Sequence, residues 1–203
     1  MVDVPFPKKK YQVILADPPW SYNDKMNHSD MSASKQYPTQ SGQWISNLPV
    51  QSISDPDCCL FLWCTSPLLD EVFEVIKSWG FKFKTIAFCW SKYTVNGKLA
   101  YNLGRWTMGN IELCLLATKG NTSFWRKNNN VKQLVQDIRY GHSVKPGEVR
   151  HRIVDLLGNR SRIELFAREK VDGWDSWGND FCNAEISEED AWIESLILKP
   201  KKD

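Results

Sequence analysis

Short apolar runs alternate with amphipathic segments along most of this chain. YQVILA (Tyr11–Ala16) and CCLFLWC (Cys58–Cys64) are almost wholly apolar and are bounded by polar stretches, which is typical of strands that are buried on both faces. A last strand is expected over RIELFAR (Arg162–Arg168). Further strand candidates between them are FKFKTIAFCW, ELCLLAT and QLVQDIR.

Helical periodicity is found between and after these strands. SPLLDEVFEVIKSWG (66–80) has Ser66 as a candidate N-cap, acidic residues in its first turn and Gly80 to end it. KPGEVRHRIVDLLG (145–158) repeats apolar positions at the spacing of a helix with one buried face. SEEDAWIESLI predicts a terminal helix within a C-terminal appendage over 181–203.

The order of these elements predicts an α/β fold. Strands that alternate with helices form mainly parallel sheets with helices on both faces. The 203 residues suit a single domain over 1–203, with the helical appendage at its end. Ligands of such sheets bind beyond the carboxyl ends of the strands. A site is therefore expected around Asp17, after the first strand, and around Phe166 to Arg168, at the end of the last one.

Composition narrows the class of protein. The chain has no apolar run of about 18 residues and no secretory signal at its N-terminus, so a cytoplasmic protein with no membrane partner is expected. Cysteines lie in or beside apolar runs, without a CxxC pair or Cys/His cluster, so neither disulfides nor a bound metal are expected. The net charge of +2 neither demands nor excludes nucleic acid, but ten tryptophans include candidates for base stacking.

Polar stretches interrupt the pattern at three places. The stretch over 21–43 is long for a connection with little periodicity, which favours a lid or binding loop; disorder is the alternative. A second stretch carries Lys92, Lys98 and Arg105 among Tyr93, Tyr101 and Trp106, and a third places Arg126, Lys127 and Lys132 around three asparagines. Both of these suit phosphate contact and base stacking, and both equally suit a solvated loop.

The first strand ends in an unusual corner, Asp17-Pro18-Pro19-Trp20. The prolines fix two φ angles, and Pro18 also biases Asp17 toward extended geometry. A stiff corner of this kind would present the Asp17 carboxylate and the Pro18 carbonyl as a rigid pair of acceptors, with the flat ring of Trp20 beside them.

Two acceptors beside an aromatic ring suit a planar ring that carries an amine. The exocyclic amine of adenine is a weak nucleophile because its lone pair is delocalised into the ring. Two hydrogen bonds from the amine to acceptors would pull the nitrogen toward tetrahedral geometry and localise that lone pair for attack on an electrophile. The residues alone leave a second interpretation open, a structural corner in which Asp17 caps a helix.

The corner and several later segments resemble one enzyme family. DPPW after an apolar strand resembles the catalytic motif of methyltransferases that use S-adenosylmethionine (SAM) on adenine N6 or cytosine N4; cytosine enzymes more often begin this motif with Ser, so Asp17 favours adenine. Over 11–180 the chain resembles the MTA-seventy-type family, which includes the catalytic subunit of the eukaryotic messenger-RNA adenosine methyltransferase. The segments are FLWCT (61–65), GNIELCLLATKG (109–120), HSVKPGE (142–148) and RIELFAREKVDGWDSWGND (162–180).

The resemblance implies a Rossmann-like SAM-dependent methyltransferase fold with permuted motif order, because the catalytic motif comes first and the SAM-binding strand last. The implied catalytic residues are Asp17, Pro18, Pro19 and Trp20. The implied SAM-binding residues are Asp17, Lys145, Phe166, Arg168, Asn179 and Asp180, with Lys145 on the SAM carboxylate and Asp180 in place of the usual Glu or Gln. The substrate-binding candidates are Trp20, Tyr37, Trp63, Trp90, Arg105 and Lys127.

Several alternatives stay open at this point. Lys145 could be a surface lysine at a helix start, Trp63 a core residue, and Glu164 either a cofactor contact or a strand carboxylate. A compact member of this family resembles bacterial or phage enzymes, which favours DNA adenine over RNA adenine as substrate, with cytosine N4 as a further alternative. Relatives also pair with a degenerate subunit, so a homodimer, a heterodimer or a non-catalytic nucleic-acid-binding scaffold is considered as well.

Overall fold

The computed structural model describes residues 4–21, 39–104, 106–139 and 144–178. Its strands are β1 (Tyr11–Ala16), β2 (Ser54–Cys64), β3 (Lys82–Tyr93), β4 (Ile111–Lys119), β5 (Leu134–Ile138), β6 (Arg162–Leu165) and β7 (Asp175–Trp177). Its α-helices are α1 (Gly42–Ser46), α2 (Val50–Ile53), α3 (Leu69–Ser78) and α4 (Glu148–Leu157). Single turns of 3-10 helix cover Ser66–Leu68 and Ser123–Trp125.

The strands form one seven-stranded sheet in the order β5-β3-β4-β2-β1-β6-β7. Strand β4 is antiparallel to both of its neighbours, β3 and β2, and the other four pairings are parallel. The prediction of a mainly parallel α/β sheet is therefore confirmed. Because β4 is antiparallel to β2, it begins at the end of the sheet where β1 and β2 finish.

Alternation along the central strands gives the sheet two apolar faces. In β1, Ile14 and Ala16 pack on one face, whereas Val13 and Leu15 pack on the other. The first face is covered by α1, α2 and α3, and the second by α4. Helices on both faces were predicted, and this continuous apolar character of β1 is what double coverage requires.

The two central helices follow their sequence signals with one exception. Val72 and Ile76 of α3 are buried, and Gly80 ends the helix region with a φ of 80° that glycine adopts without strain. Ser66 is not the N-cap, because it lies within the 3-10 turn that precedes α3, and Thr65 begins that turn. The proline at the second position of the turn explains this tighter start.

Some short elements carry no signal that periodicity can detect. Helix α1 is only five residues long and is capped by Ser41, whose side chain accepts from the Trp44 N–H. Strand β7 has three residues. The predicted strand over 162–168 is shorter than expected and ends at Leu165, because the next residue leaves the extended region.

Several predictions fall outside the described residues. These are the roles of Tyr37, Arg105, Asn179 and Asp180, most of the polar stretch over 21–43, and the terminal helix of the appendage over 181–203. Within the ranges that the structure describes, no helix is both long and apolar enough to cross a lipid bilayer.

Candidate active site

Four separate segments converge at the edge of the sheet where β1 ends. Asp17 and Pro18 follow β1, Cys64 ends β2, Glu112 stands at the start of the antiparallel β4, and Lys145 precedes α4. Together with Trp20 and Thr65 they line a cavity of about 70 Å³. Small-molecule sites usually measure about 300–1,000 Å³, so these seven described residues enclose only part of the space that such a ligand needs.

The proline corner is held by short backbone hydrogen bonds. The Trp20 N–H donates to the Pro18 carbonyl at 2.9 Å, and the Gln40 N–H donates to the Pro19 carbonyl at 2.7 Å. The Ser21 N–H in turn donates to the Gln40 carbonyl at 3.0 Å. The expected rigid corner is therefore present. The Pro18 carbonyl already has one partner, and a carbonyl oxygen can accept a second hydrogen bond.

Trp20 is fixed as firmly as the corner itself. Its side chain is buried, and its Nε1–H donates to the backbone carbonyl of Trp63 at 3.0 Å. The indole thus ties the end of β1 to the end of β2. Because the ring also lines the cavity, it can offer an apolar wall to a ligand without any reordering of its own.

Charged side chains form a continuous row beside this corner. Lys145 Nζ lies 2.7 Å from Asp17 Oδ2 and 3.3 Å from Glu112 Oε2. On the far side of Glu112, Lys92 Nζ contacts Glu112 Oε1. The four side chains are between 9% and 17% exposed, so solvent and salt screen these pairs far less than pairs at the surface. The alternative of a surface role for Lys145 is wrong.

Burial and the neighbouring charges set the protonation of the row. Burial raises the pKa of Asp17, and the charges of Lys145 and Arg168 only partly oppose the rise. Burial also acts on Glu112, but Lys145 and Lys92 outweigh it and hold the pKa of this carboxyl below its ordinary value. Burial favours a lower pKa for Lys145, yet its two carboxylates prevail and raise this pKa, so the amine stays charged.

The end of β6 lies next to the same corner. The Asp17 N–H donates to the Leu165 carbonyl at 3.4 Å, which joins the ends of β1 and β6. Phe166 then adopts a φ of 61°, in the left-handed region that residues with a side chain rarely occupy. Such strained positions cluster at binding sites. Phe166 and Arg168, predicted at the end of the last strand, are thus found beside Asp17.

The end of β7 and the glycine after it explain how the strained turn is held. The ring of Phe166 meets that of Trp177 edge to face, with centroids 5.5 Å apart. A Cβ on Gly178 would lie 2.4 Å from the Ala167 carbonyl oxygen, so this position needs glycine for the close approach of two backbones. The motif around Gly178 therefore shapes the turn at the end of β6.

Two predicted substrate residues lie in the core instead of on a surface. Trp63 and Trp90 are each 1% exposed and pack edge to face, with ring centroids 6.5 Å apart. Trp63 still borders the site, because Lys145 Nζ lies 5.7 Å from the centre of its ring. Trp90 is one layer further away, and its Nε1–H donates to the Asp137 carbonyl at 3.2 Å.

Lys92 lies in a stretch for which phosphate contact and a solvated loop were both open, and its burial contradicts both for this residue. The residue is 7% exposed, its ammonium contacts Glu112 and lies 5.0 Å from the centre of the Trp90 ring. Of the basic and aromatic residues that suggested a surface, Lys92 and Tyr93 belong to the end of β3. On this strand the position of Lys92 faces the interior.

Lys127 lies near the opposite end of the strands from the proline corner. Strand β4 ends at Lys119, opposite Cys58, which is remote from the edge that carries Asp17. The loop that follows holds Lys127, whose backbone N–H donates to the Leu156 carbonyl near the end of α4. The structure therefore does not bring Lys127 together with the proline corner, and a contact with substrate at this position stays a prediction.

The structure shows the partners of Glu164. Its carboxylate receives two hydrogen bonds from Arg150 of α4, at 2.7 and 3.2 Å. Arg150 also binds Glu169 at 2.9 Å. Glu164 therefore fastens α4 to β6, and a contact with the cofactor stays a prediction.

Glu112 is the site residue to which the sequence assigned no role. It lies within the family-like segment over 109–120, but nothing in the motif indicated a charge pair. The available signal was a single acidic residue at the start of an otherwise apolar strand, since a buried carboxylate needs a cationic partner. Within the parts of the chain that the structure describes, no group of His, Cys, Asp and Glu side chains could hold a metal ion.

This fold and site define a class of protein: an α/β enzyme with a carboxylate-proline corner at the carboxyl edge of its sheet. Comparison with known proteins gives the family. The MT-A70 family model matches residues 11–180, the range over which the sequence motifs carried the resemblance. The chain belongs to the MT-A70 family and is a methyltransferase, so the scaffold alternative loses its support.

Individual relatives differ in length. The type II methyltransferase M.MunI from a Mycoplasma species is 39% identical over 196 residues, which cover 89% of this chain and 82% of the relative. The human N(6)-adenosine-methyltransferase catalytic subunit METTL3 is 26% identical over 203 residues, or 95% of this chain and 33% of the relative. The MT-A70-like protein of Drosophila melanogaster is 28% identical over 161 residues, or 78% and 24%. The chain spans about a third or less of these two longer relatives.

Proposed function

We propose that this protein transfers the methyl group of SAM to the N6 amine of adenine in DNA. The observation that carries the proposal is the rigid corner of Asp17 and Pro18, which offers a carboxylate and a carbonyl at the edge where the strands end. A strand end of this kind is the usual position of a ligand in an α/β sheet. The similarity to M.MunI supports DNA as the substrate.

The residues around the corner fit the chemistry of SAM. This molecule carries a carboxylate, for which Lys145 supplies a buried cation, and an adenosine, for which the ring of Phe166 and the charge of Arg168 are available at the end of β6. Asn179 and Asp180, which lie outside the described residues, complete the proposed set. When bound, SAM would supply an electrophilic methyl group.

Asp17 and Pro18 would orient the target amine. Each can accept one of the two N–H groups of the adenine amine, so that its nitrogen lone pair turns away from the ring and toward the methyl group. Transfer would form a bond from N6 to the methyl carbon while the bond from that carbon to the SAM sulfur breaks and its electron pair stays on sulfur, which would leave one surplus proton on the nitrogen. The Asp17 carboxylate is hydrogen-bonded to that nitrogen and can take the proton, which its raised pKa favours.

The target adenine would have to leave its base stack. An amine paired inside a duplex cannot reach a corner at the bottom of a cleft, so we infer that the base is flipped out or already single-stranded. Trp20 would then form the apolar wall beside it. Tyr37 and Arg105, outside the described residues, stay predicted contacts to the substrate.

The hairpin between β3 and β4 is a candidate surface for the rest of the nucleic acid. It projects from the edge that carries the site, because it joins the end of β3 to the start of β4 near Glu112. At its tip Trp106 is 98% and Leu103 92% exposed, with Lys98 also in solvent. Exposed aromatic and basic side chains suit stacking on bases and contact with phosphate. A second copy of the chain or a related subunit is the other predicted occupant.

The proposal is tested by incubating the protein with SAM and, separately, with DNA and RNA. Nucleosides released from each pool are then identified by mass spectrometry. N6-methyladenine from DNA is the expected product, and Asp17→Asn should remove it. Product from RNA alone would contradict DNA as the substrate and would favour the comparison with the N(6)-adenosine-methyltransferases among the relatives.

A further inference from the structure

The buried ion pairs extend well beyond the residues that the reaction needs. Lys145 is shared between Asp17 at 2.7 Å and Glu112 at 3.3 Å. Glu112 in turn receives Lys92, whose side chain is 9% exposed and which comes from strand β3. Among the described residues, Lys92 neither lines the cavity nor contacts the proline corner, and it reaches the cavity lining through Glu112.

A lysine buried at this position needs a physical reason. Removing an ammonium group from water costs several kcal/mol unless a partner compensates for it. An apolar side chain on β3 would fill the same core space next to Trp90 without that cost. The compensation that Lys92 receives comes from Glu112, so the two residues are placed for each other.

Without Lys92, the cationic partner that Glu112 keeps among the described residues would be Lys145. Lys145 would then be drawn from Asp17 toward Glu112, and Asp17 would lose its nearest positive charge. With Lys92 present, Glu112 is already neutralised, and Lys145 can remain close to both carboxylates. The loss of Lys92 would therefore change, through Glu112, how the charge of Lys145 is divided.

We propose that Lys92 is a positioning residue for methyl transfer, which acts through Glu112 to keep Lys145 shared between Glu112 and Asp17. The inference rests on the proposed function, because it assumes that Asp17 accepts the target amine. Lys145 donates to Asp17 Oδ2 in this structure, and the second carboxylate oxygen of Asp17 leaves room to accept the target amine. Glu112, 3.3 Å from Lys145, keeps this cation paired if it moves toward an incoming ligand, so that it does not become an unpaired buried charge.

Other charged groups act on the row as well. Asp17 faces Lys145, Glu112 and Arg168, and its charge also acts on Glu164, which is paired with Arg150. Lys92 is not among the groups that act on Asp17 directly. Glu112 faces Lys145 and Lys92. The thiols of Cys64 and Cys114 also lie near, but burial raises the pKa of both, so they stay neutral over the range of interest.

The first experiment measures the Glu112 carboxyl directly, in the protein alone. Protein labelled with ¹³C at the glutamate carboxyl carbon is titrated by NMR, and the Glu112 signal is assigned by its loss in Glu112→Gln. Lys92→Met should raise the pKa of Glu112 by about one unit or more, because a directly paired cation is lost. Lys84→Met, the same change at an exposed position of β3, is the matched control and should leave this pKa unchanged.

The second experiment follows the acid limb of the kcat/KM profile. Lys92→Met should move this limb to higher pH and Lys92→Arg should restore it, whereas Glu112→Gln should move it to lower pH and raise the KM for nucleic acid. In the double variant, Lys92→Met should add little to the effect of Glu112→Gln. An equal shift in both backgrounds would overturn the proposal, since Lys92 would then act without Glu112.

These results separate the inference from the function on which it rests. An unchanged Glu112 titration in Lys92→Met overturns the inference even if methylation is found. If the pKa of Glu112 rises in Lys92→Met but the protein methylates no nucleic acid, the charge row is supported and the proposed function is contradicted. If Lys92→Met is poorly folded, the double variant of Lys92→Met and Glu112→Gln takes its place. Its pH profile is then compared with that of Glu112→Gln alone.

Discussion

Replacing Asp17 by Asn removes the charge that the proposed mechanism needs while keeping the shape of the side chain. The amide can still accept one hydrogen bond, but it cannot take the proton that methyl transfer releases from the amine. A hydrogen bond to a charged group contributes about 1.5–3 kcal/mol. Loss of a preorganised electrostatic contact in an active site costs about 10²–10³-fold in kcat.

The structure indicates how far the fold would suffer from this change. Asp17 is the nearer partner of Lys145, at 2.7 Å, and removing one member of a buried ion pair costs about 3–5 kcal/mol when the other is left unpaired. Lys145 keeps Glu112 at 3.3 Å. The free energy of unfolding should therefore fall by about 3 kcal/mol or less, and the variant should remain folded at 25 °C.

Asp17→Asn is assayed by single-turnover methyl transfer at saturating SAM, with SAM affinity measured by calorimetry. We expect a fall in rate of at least about 10²-fold with a SAM Kd that stays within a few fold of the wild-type value. Asp155→Asn, at an exposed position of α4, is the matched control and should behave as the wild type. A rate within tenfold of wild type would refute the role of Asp17 as acceptor of the target amine.

Three further outcomes are expected. Lys145→Ala should weaken SAM binding in calorimetry by about tenfold or more, since a charge-assisted contact is lost, and an unchanged Kd would remove Lys145 from the cofactor site. Burial raises the pKa of Asp17, and the carboxylate must be ionised to act, so activity should decline as the pH falls through a value above the ordinary Asp range. This decline is measured as the acid limb of kcat/KM, and a limb below about pH 3.5 would contradict the raised pKa. Trp106→Ala should raise the KM for DNA several fold and leave the Kd for SAM unchanged; if instead only the sedimentation coefficient falls, the hairpin is a contact between subunits.

Much of the fold and the position of the site could be predicted because their signals are local. The apolar run of β1, the proline corner after it and the stop at Gly80 each depend on a few adjacent residues. The corner at Asp17 was expected to be rigid, and its hydrogen bonds are short. The family resemblance over 11–180 added an order of motifs, which fixed the class of enzyme.

What could not be predicted depends on contacts between distant parts of the chain. Lys145 meets Asp17 across 128 positions of sequence, so no spacing rule links them. Lys92 looked like a loop lysine because more basic and aromatic residues follow it in a polar stretch, whereas Lys92 itself still belongs to β3 and is buried. The left-handed turn at Phe166 was missed because it is imposed by the backbone that packs against Gly178.

The most direct test of the account is the identity of the methylated base. Wild-type protein and Asp17→Asn are incubated with isotopically labelled SAM and DNA of mixed sequence, and the nucleosides are resolved by mass spectrometry. The account predicts labelled N6-methyladenine with the wild type and none above background with the variant. Labelled N4-methylcytosine from the wild type, or N6-methyladenine at the same level from both proteins, would contradict it.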